Sequence, residues 1–92
     1  MTDQDNENRF FKMLALCPEL SKFWDQEERM AKMKTLQTHL LRMPAGEGQM
    51  LRFFMGVWFG NTDLSGFDFF IAAKELGEKE IKIIRKWLVE PF

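Results

Sequence analysis

Few side chains in this chain could do chemistry, and their spacing limits what they can do. His39 is the only histidine, Cys17 the only cysteine, and no serine sits in a nucleophile motif. A zinc site needs three or four nitrogen or sulfur ligands, and a nucleophile needs a base beside it, so neither can be assembled from these residues. His39 reads as a solvated residue on the polar side of a helix, and Cys17, between Leu16 and Pro18, as a small buried hydrophobe. The carboxylate pairs Glu27 with Glu28 and Glu78 with Glu80 fall at helix starts, where the dipole favours negative charge. Asn61, Asp63, Ser65 and Gly66 resemble the opening of a calcium loop, but the twelfth position, which must supply a bidentate Glu, holds Ala72. Gly46 and Gly48 lack the Lys and Ser or Thr partners of a phosphate loop. No catalytic, metal or cofactor residue is expected, and the chain is not expected to be an enzyme.

Two other patterns remain. In Ala72 to Leu88, Ala73, Leu76, Gly77 and Ile83 match the spacing of a bacterial helix-turn-helix, with Lys79, Lys82, Arg85 and Lys86 on the helix that would meet DNA phosphates. Against it, Glu78 stands where that motif has an apolar turn residue and Lys86 where it has a buried one. The second pattern is a surplus of apolar side chains. Ten Phe, seven Met and three Trp accompany no Tyr in 92 residues. Phe needs no hydrogen bond when buried, so this composition suits dry cores and dry interfaces. A chain this short buries only about 60–65 % of its unfolded surface. Met50, Phe53, Trp58, Phe59, Phe69 and Trp87 are therefore the candidate protein-interaction residues, of the types enriched where proteins meet. A homodimer is the simplest arrangement, because a self-complementary patch needs one surface. DNA is the alternative partner.

The elements that must position these residues are helical. Residues 1–8 read as a disordered acidic lead, and 9–92 as one all-α domain of about five helices. A first helix is expected from about Asn8 to Leu16, ended by Pro18. A short turn or helix from Glu19 to Trp24 then faces Leu20, Phe23 and Trp24 inward. Asp25 is placed to cap the next helix, whose Met30, Met33, Leu36, Leu40 and Met43 recur every three or four residues. Pro44, Ala45, Gly46 and Gly48 supply a bend. From Met50 to Phe59 only Arg52 and Gly56 interrupt an apolar run, so this helix must be covered on all sides. Gly60 to Asp63 form a turn, and Ser65 with Asp68 reads as a capping box opening a second apolar helix. The two apolar helices make a central pair that flanking helices must wrap. Gly77 is placed like a helix C-terminal glycine, and Glu78 to about Val89 forms the last helix, with Ile81, Ile83, Ile84, Trp87 and Leu88 on a broad apolar arc.

The central stretch also carries a resemblance. Gly48 and Gln49, then Phe54 and Trp58, then Gly66, Phe67 and Asp68 resemble a pattern in a family of small uncharacterised bacterial proteins of integrative and other mobile elements. There a GQ pair precedes an FLLAWWN-like helix that leads into GGFDLTDLW. This chain departs from the pattern in Ser65 before Gly66, in Phe69 to Ala73 in place of the polar tail, and in a shorter GQ spacing. The resemblance implies an origin in a bacterial mobile element or phage and no chemistry.

Charge narrows the partners further. A net charge of −1 argues against a general polyanion binder. Without Asp3, Asp5 and Glu7 the rest of the chain carries 13 basic and 11 acidic side chains, close to neutral. The polar, acidic start MTDQDNEN is not expected to act as a secretory signal. No apolar run reaches the roughly 18 residues of a membrane span. One cysteine suits a reducing cytoplasm.

Overall fold

The computed structural model describes residues 4–92 and is mostly helical, with one two-stranded sheet. Among the described residues there are six helices: α1 Gln4–Leu14, α2 Pro18–Ser21, α3 Met33–Leu40, α4 Ala45–Phe59, α5 Phe69–Glu75 and α6 Glu78–Val89. The strands are β1 Trp24–Asp25 and β2 Met30–Ala31. The chain falls into two compact units, one up to Met43 and one from Pro44 to Phe92.

In the first unit, α1 begins earlier than the sequence suggests. Met1 to Asp3 of the expected acidic lead lie outside the described residues, but residues 4–8 are helix. The reason is electrostatic: Asp5 and Glu7 occupy the first turn, where the helix dipole favours acids, and Asp5 pairs with Arg9 one turn on at 3.5 Å. Phe10, Met13 and Leu14 form its buried stripe. Pro18 opens α2 at the position where its missing N–H costs nothing, and Leu20, Phe23 and Trp24 are buried as expected.

Asp25 does not cap a helix. Its Oδ1 accepts from the backbone N–H groups of Glu27 and Glu28, both at 3.0 Å, and so closes a tight turn. Arg29 takes a left-handed backbone (φ 53°), which sends the chain back antiparallel, with Trp24 opposite Ala31 and Asp25 opposite Met30. The N–H of Lys32 donates to the carbonyl of Phe23 at 2.8 Å. A hairpin thus replaces the first turns of the expected helix, and α3 starts only at Met33. Met30 is consequently exposed rather than part of an apolar stripe.

The second unit is built on α4. Pro44 precedes its first residue, so Ala45, Gly46 and Gly48 lie inside the helix instead of in a bend. The cause is tertiary. A Cβ on Gly46 would stand 2.7 Å from the carbonyl oxygen of Glu75, so α5 approaches α4 backbone to backbone at this point. Nine of the fifteen α4 residues are buried, including Phe53, Phe54, Met55 and Trp58, as an all-round apolar helix requires. Gly60 ends it in the left-handed conformation (φ 76°).

The next helix is capped by Asp68, not Ser65: its side chain accepts from the N–H groups of Phe70 and Ile71 at 2.8 and 3.1 Å. Ser65 instead accepts from the N–H of Phe67 at 3.3 Å and shapes the loop. Among the described residues the second apolar helix is not covered as expected. α5 spans seven residues, buries only Ala72, and leaves Phe69, Phe70 and Ile71 exposed. Gly77 proves to be the N-terminal cap of α6 in extended conformation (ψ 176°), since Leu76 already leaves the helical region. α6 has the bounds its periodicity predicts, with Ile83 and Ile84 buried.

Candidate functional site

The surplus of aromatic side chains gathers in the second unit around a half-open groove of about 350 Å³. α4 contributes Phe53, Gly56 and Val57 to it. The following loop contributes Gly60, Asn61, Thr62 and Phe67, and α5, α6 and the chain end contribute Phe69, Trp87 with Leu88, and Phe92. The rings meet edge to face or tilted: Phe53 to Phe67 at 5.8 Å, Phe53 to Trp87 at 5.7 Å, Phe67 to Phe69 at 4.9 Å and Trp87 to Phe92 at 6.4 Å. Each such pair contributes on the order of 0.5–1.5 kcal/mol beyond its buried area, so the walls are preformed.

The local sequence explains why the groove exists. The loop between α4 and α5 is held by its own polar side chains. Asn61 Oδ1 accepts from the N–H of Asp63 at 3.0 Å, and Gly66 supplies a left-handed residue (φ 68°). The buried Gln49 then reaches from α4 to accept from the N–H of Asp68 at 2.9 Å. Gln49 and Asp68 are thereby tied together across the turn at Gly66, where Phe67 packs on Phe53 and Phe69 on Phe67. Gly56 leaves room for Ser65 and Thr62 to pass beside α4, where a Cβ would meet both side chains at ordinary contact distance.

One polar atom in this region has no counterpart. The indole Nε1–H of Trp87 is shielded from solvent and finds no acceptor among the described residues. A buried donor without a partner costs on the order of 1–3 kcal/mol, which the surrounding ring contacts must offset.

Of the six interaction residues read from the sequence, Phe53, Phe69 and Trp87 come together in the groove. Met50, Trp58 and Phe59 do not line it. The first two are buried and Phe59 is half-buried. Sequence reasoning missed Phe67, Phe92 and the exposed neighbours Phe70 and Val89. The signal for Phe70 was present, since three consecutive apolar residues in a two-turn helix cannot all face inward.

The four cations of the DNA alternative, Lys79, Lys82, Arg85 and Lys86, are all exposed on α6. Lys82 pairs with Glu78 at 3.7 Å, a solvated contact worth little. Only Leu76 and Gly77 separate α5 from α6, a connection shorter than the three or four residues of a helix-turn-helix.

Elsewhere, His39 is exposed. Its Nδ1 donates to the carbonyl of Thr35 at 2.8 Å and its ring meets Phe23 edge-on. Cys17 is fully buried. Among the described residues no group of three or more His, Cys, Asp or Glu is placed to hold a metal ion. No helix among them is long and apolar enough to cross a membrane. Comparison with protein-family models, curated proteins and solved structures yields no match.

Proposed function

We propose that this chain is a small helical-bundle protein-interaction module of the cytoplasm, without enzymatic activity. It forms a homodimer and acts as an accessory or inhibitory factor of a bacterial mobile element or phage. The observation that carries the reading is the groove: a preformed aromatic concavity flanked by exposed Phe69 and Phe70, which a chain working alone would gain by burying. Aromatic side chains in a pocket are the groups that dominate association energies. The mobile-element assignment rests on Gly48, Gln49, Phe54, Trp58, Gly66, Phe67 and Asp68, the residues that resemble the family pattern.

The test is affinity capture from bacterial lysate by the wild-type chain and by Phe69→Glu in parallel, with nuclease present. Proteins retained by the wild type and lost by the variant bind through the groove. Identical protein recovery by both removes the reading.

A DNA-binding regulator is the second reading, supported by the four exposed cations of α6. It requires binding that weakens steeply with salt and disappears when Lys79, Lys82, Arg85 and Lys86 are reversed to Glu. Retention of DNA affinity after that reversal ends it.

A further inference from the structure

We propose that the groove is a binding site for a small, flat, apolar molecule carrying one carbonyl-type oxygen, and that the Trp87 indole N–H donates to that oxygen. Cavity and donor coincide in one residue: Trp87 lines the groove, and its Nε1–H is the donor that finds no acceptor among the described residues. An acceptor placed there makes a hydrogen bond and removes the penalty of an unmade one, so it gains twice. The proposal goes beyond the interaction-module reading and does not rest on it, because a free molecule needs the groove itself and not the exposed rings beside it.

The chemistry of the lining selects the ligand. None of the described residues that line the groove has a charged side chain, so an ionic ligand would give up its hydration without a counter-charge. The Asn61 amide is turned to its own loop, its Oδ1 accepting from the Asp63 N–H at 3.0 Å and its Nδ2 donating to the Phe59 carbonyl at 3.3 Å. A ligand rich in donors would therefore find few acceptors, whereas a single oxygen has a donor to meet. The rest of the lining is mainly aromatic and aliphatic, and a volume of about 350 Å³ lies at the lower end of those that hold small ligands. Phe53 packs on Phe67 and on Trp87 with the rings steeply inclined, which offers a flat molecule both ring faces and ring edges. Access to the N–H runs past Phe92, which lies beyond the end of α6 and meets Trp87 edge-on at 6.4 Å, the widest of the ring pairs along the groove. The ligand's oxygen enters as these two rings part.

The experiment uses β-acetylnaphthalene and β-isopropenylnaphthalene, flat probes of matched shape of which only the first has an oxygen. Each is titrated into the isotope-labelled full chain while the Trp87 indole N–H resonance is followed by NMR. The ketone is expected to bind saturably and move that resonance downfield, and the alkene to bind without the downfield shift. Trp87→Phe keeps an aromatic wall and removes the N–H. It is expected to lower the preference for ketone over alkene by about fivefold or more, with unchanged helix content by circular dichroism. Phe69→Ala, at a ring already 60 % exposed, is expected to weaken both probes together, which places them in the groove. Should Trp87→Phe lose helix, the wild-type resonance decides alone.

No saturable binding of the ketone up to its solubility limit overturns the proposal, as does an indole resonance that responds to ketone and alkene alike, or binding that Phe69→Ala leaves unchanged. The interaction module is judged separately. Failure of the ketone with protein capture still lost in Phe69→Glu removes the ligand alone, and binding of the ketone with capture unchanged in Phe69→Glu removes the module alone.

Discussion

The two units dispose of similar raw material in opposite ways. Up to Met43 the chain covers its rings with its cations. The Arg29 guanidinium lies 5.7 Å from the centre of Phe11 while it donates to Glu7 at 3.3 Å and Asn8 at 2.8 Å, and the Lys22 ammonium lies 5.3 Å from Phe23. From Pro44 onward, Phe69 and Phe70 are left in the open beside the aromatic groove that α4, α5 and α6 line. Net charge does not cause the difference, since acids and bases are nearly balanced in both halves. The first unit spends long cationic side chains as lids, as their amphipathic stems permit. The second places four of its six cations, Lys79, Lys82, Arg85 and Lys86, exposed on α6. A lid stabilises a unit in isolation, whereas a bare aromatic rim stabilises only a complex.

The comparison predicts equal interiors and unequal surfaces. The largest effect is therefore the same in both units. Phe10→Ala and Phe54→Ala each remove a fully buried ring and should cost about 3–5 kcal/mol, enough to unfold much of so small a protein. Chemical denaturation with matched slopes would check this, and a cost below about 2 kcal/mol for either would break the symmetry.

Next comes Gly46→Ala. Its Cβ would meet the Glu75 backbone at 2.7 Å, so a loss of about 1–3 kcal/mol is expected despite the better helix propensity of Ala. A stabilised Gly46→Ala variant would show that α5 is free to move off α4.

Arg29→Ala should cost about 1–2 kcal/mol by removing both the lid over Phe11 and the part-buried ion pair to Glu7. Asp68→Ala removes the cap of α5 and should cost about 1 kcal/mol, or roughly 4–8 °C in Tm. The smallest effect sharpens the contrast most. Phe70→Ser should alter the stability of the folded chain by less than about 0.5 kcal/mol, because a ring 83 % exposed has little burial to lose.

How legible all this is in the sequence depends on whether a signal is periodic or tertiary. α6 is legible end to end because Ile83, Ile84 and Trp87 repeat at helical spacing. α4 is legible as a buried helix but not at its start, because Gly46 and Gly48 are ordinarily helix breakers. Only the approach of Glu75 reveals why they are there. The hairpin at Trp24 to Ala31 is hidden by Asp25, a residue equally suited to cap a helix and to close a turn. The choice falls to Arg29, whose left-handed backbone no local pattern announces. Half of the groove is legible in the same sense. Phe53, Phe69 and Trp87 stand out by type, while Phe67 and Phe92 join them only through the fold of the loop and the chain end.

The Trp87 indole N–H has a consequence in time rather than in energy. An N–H group usually exchanges its proton slowly because an acceptor holds it, but this one is protected only by the rings that keep water out. Its exchange with deuterium is therefore a clock for the parting of Phe53, Phe92 and their neighbours, and an indole resonance read by NMR would time that breathing directly.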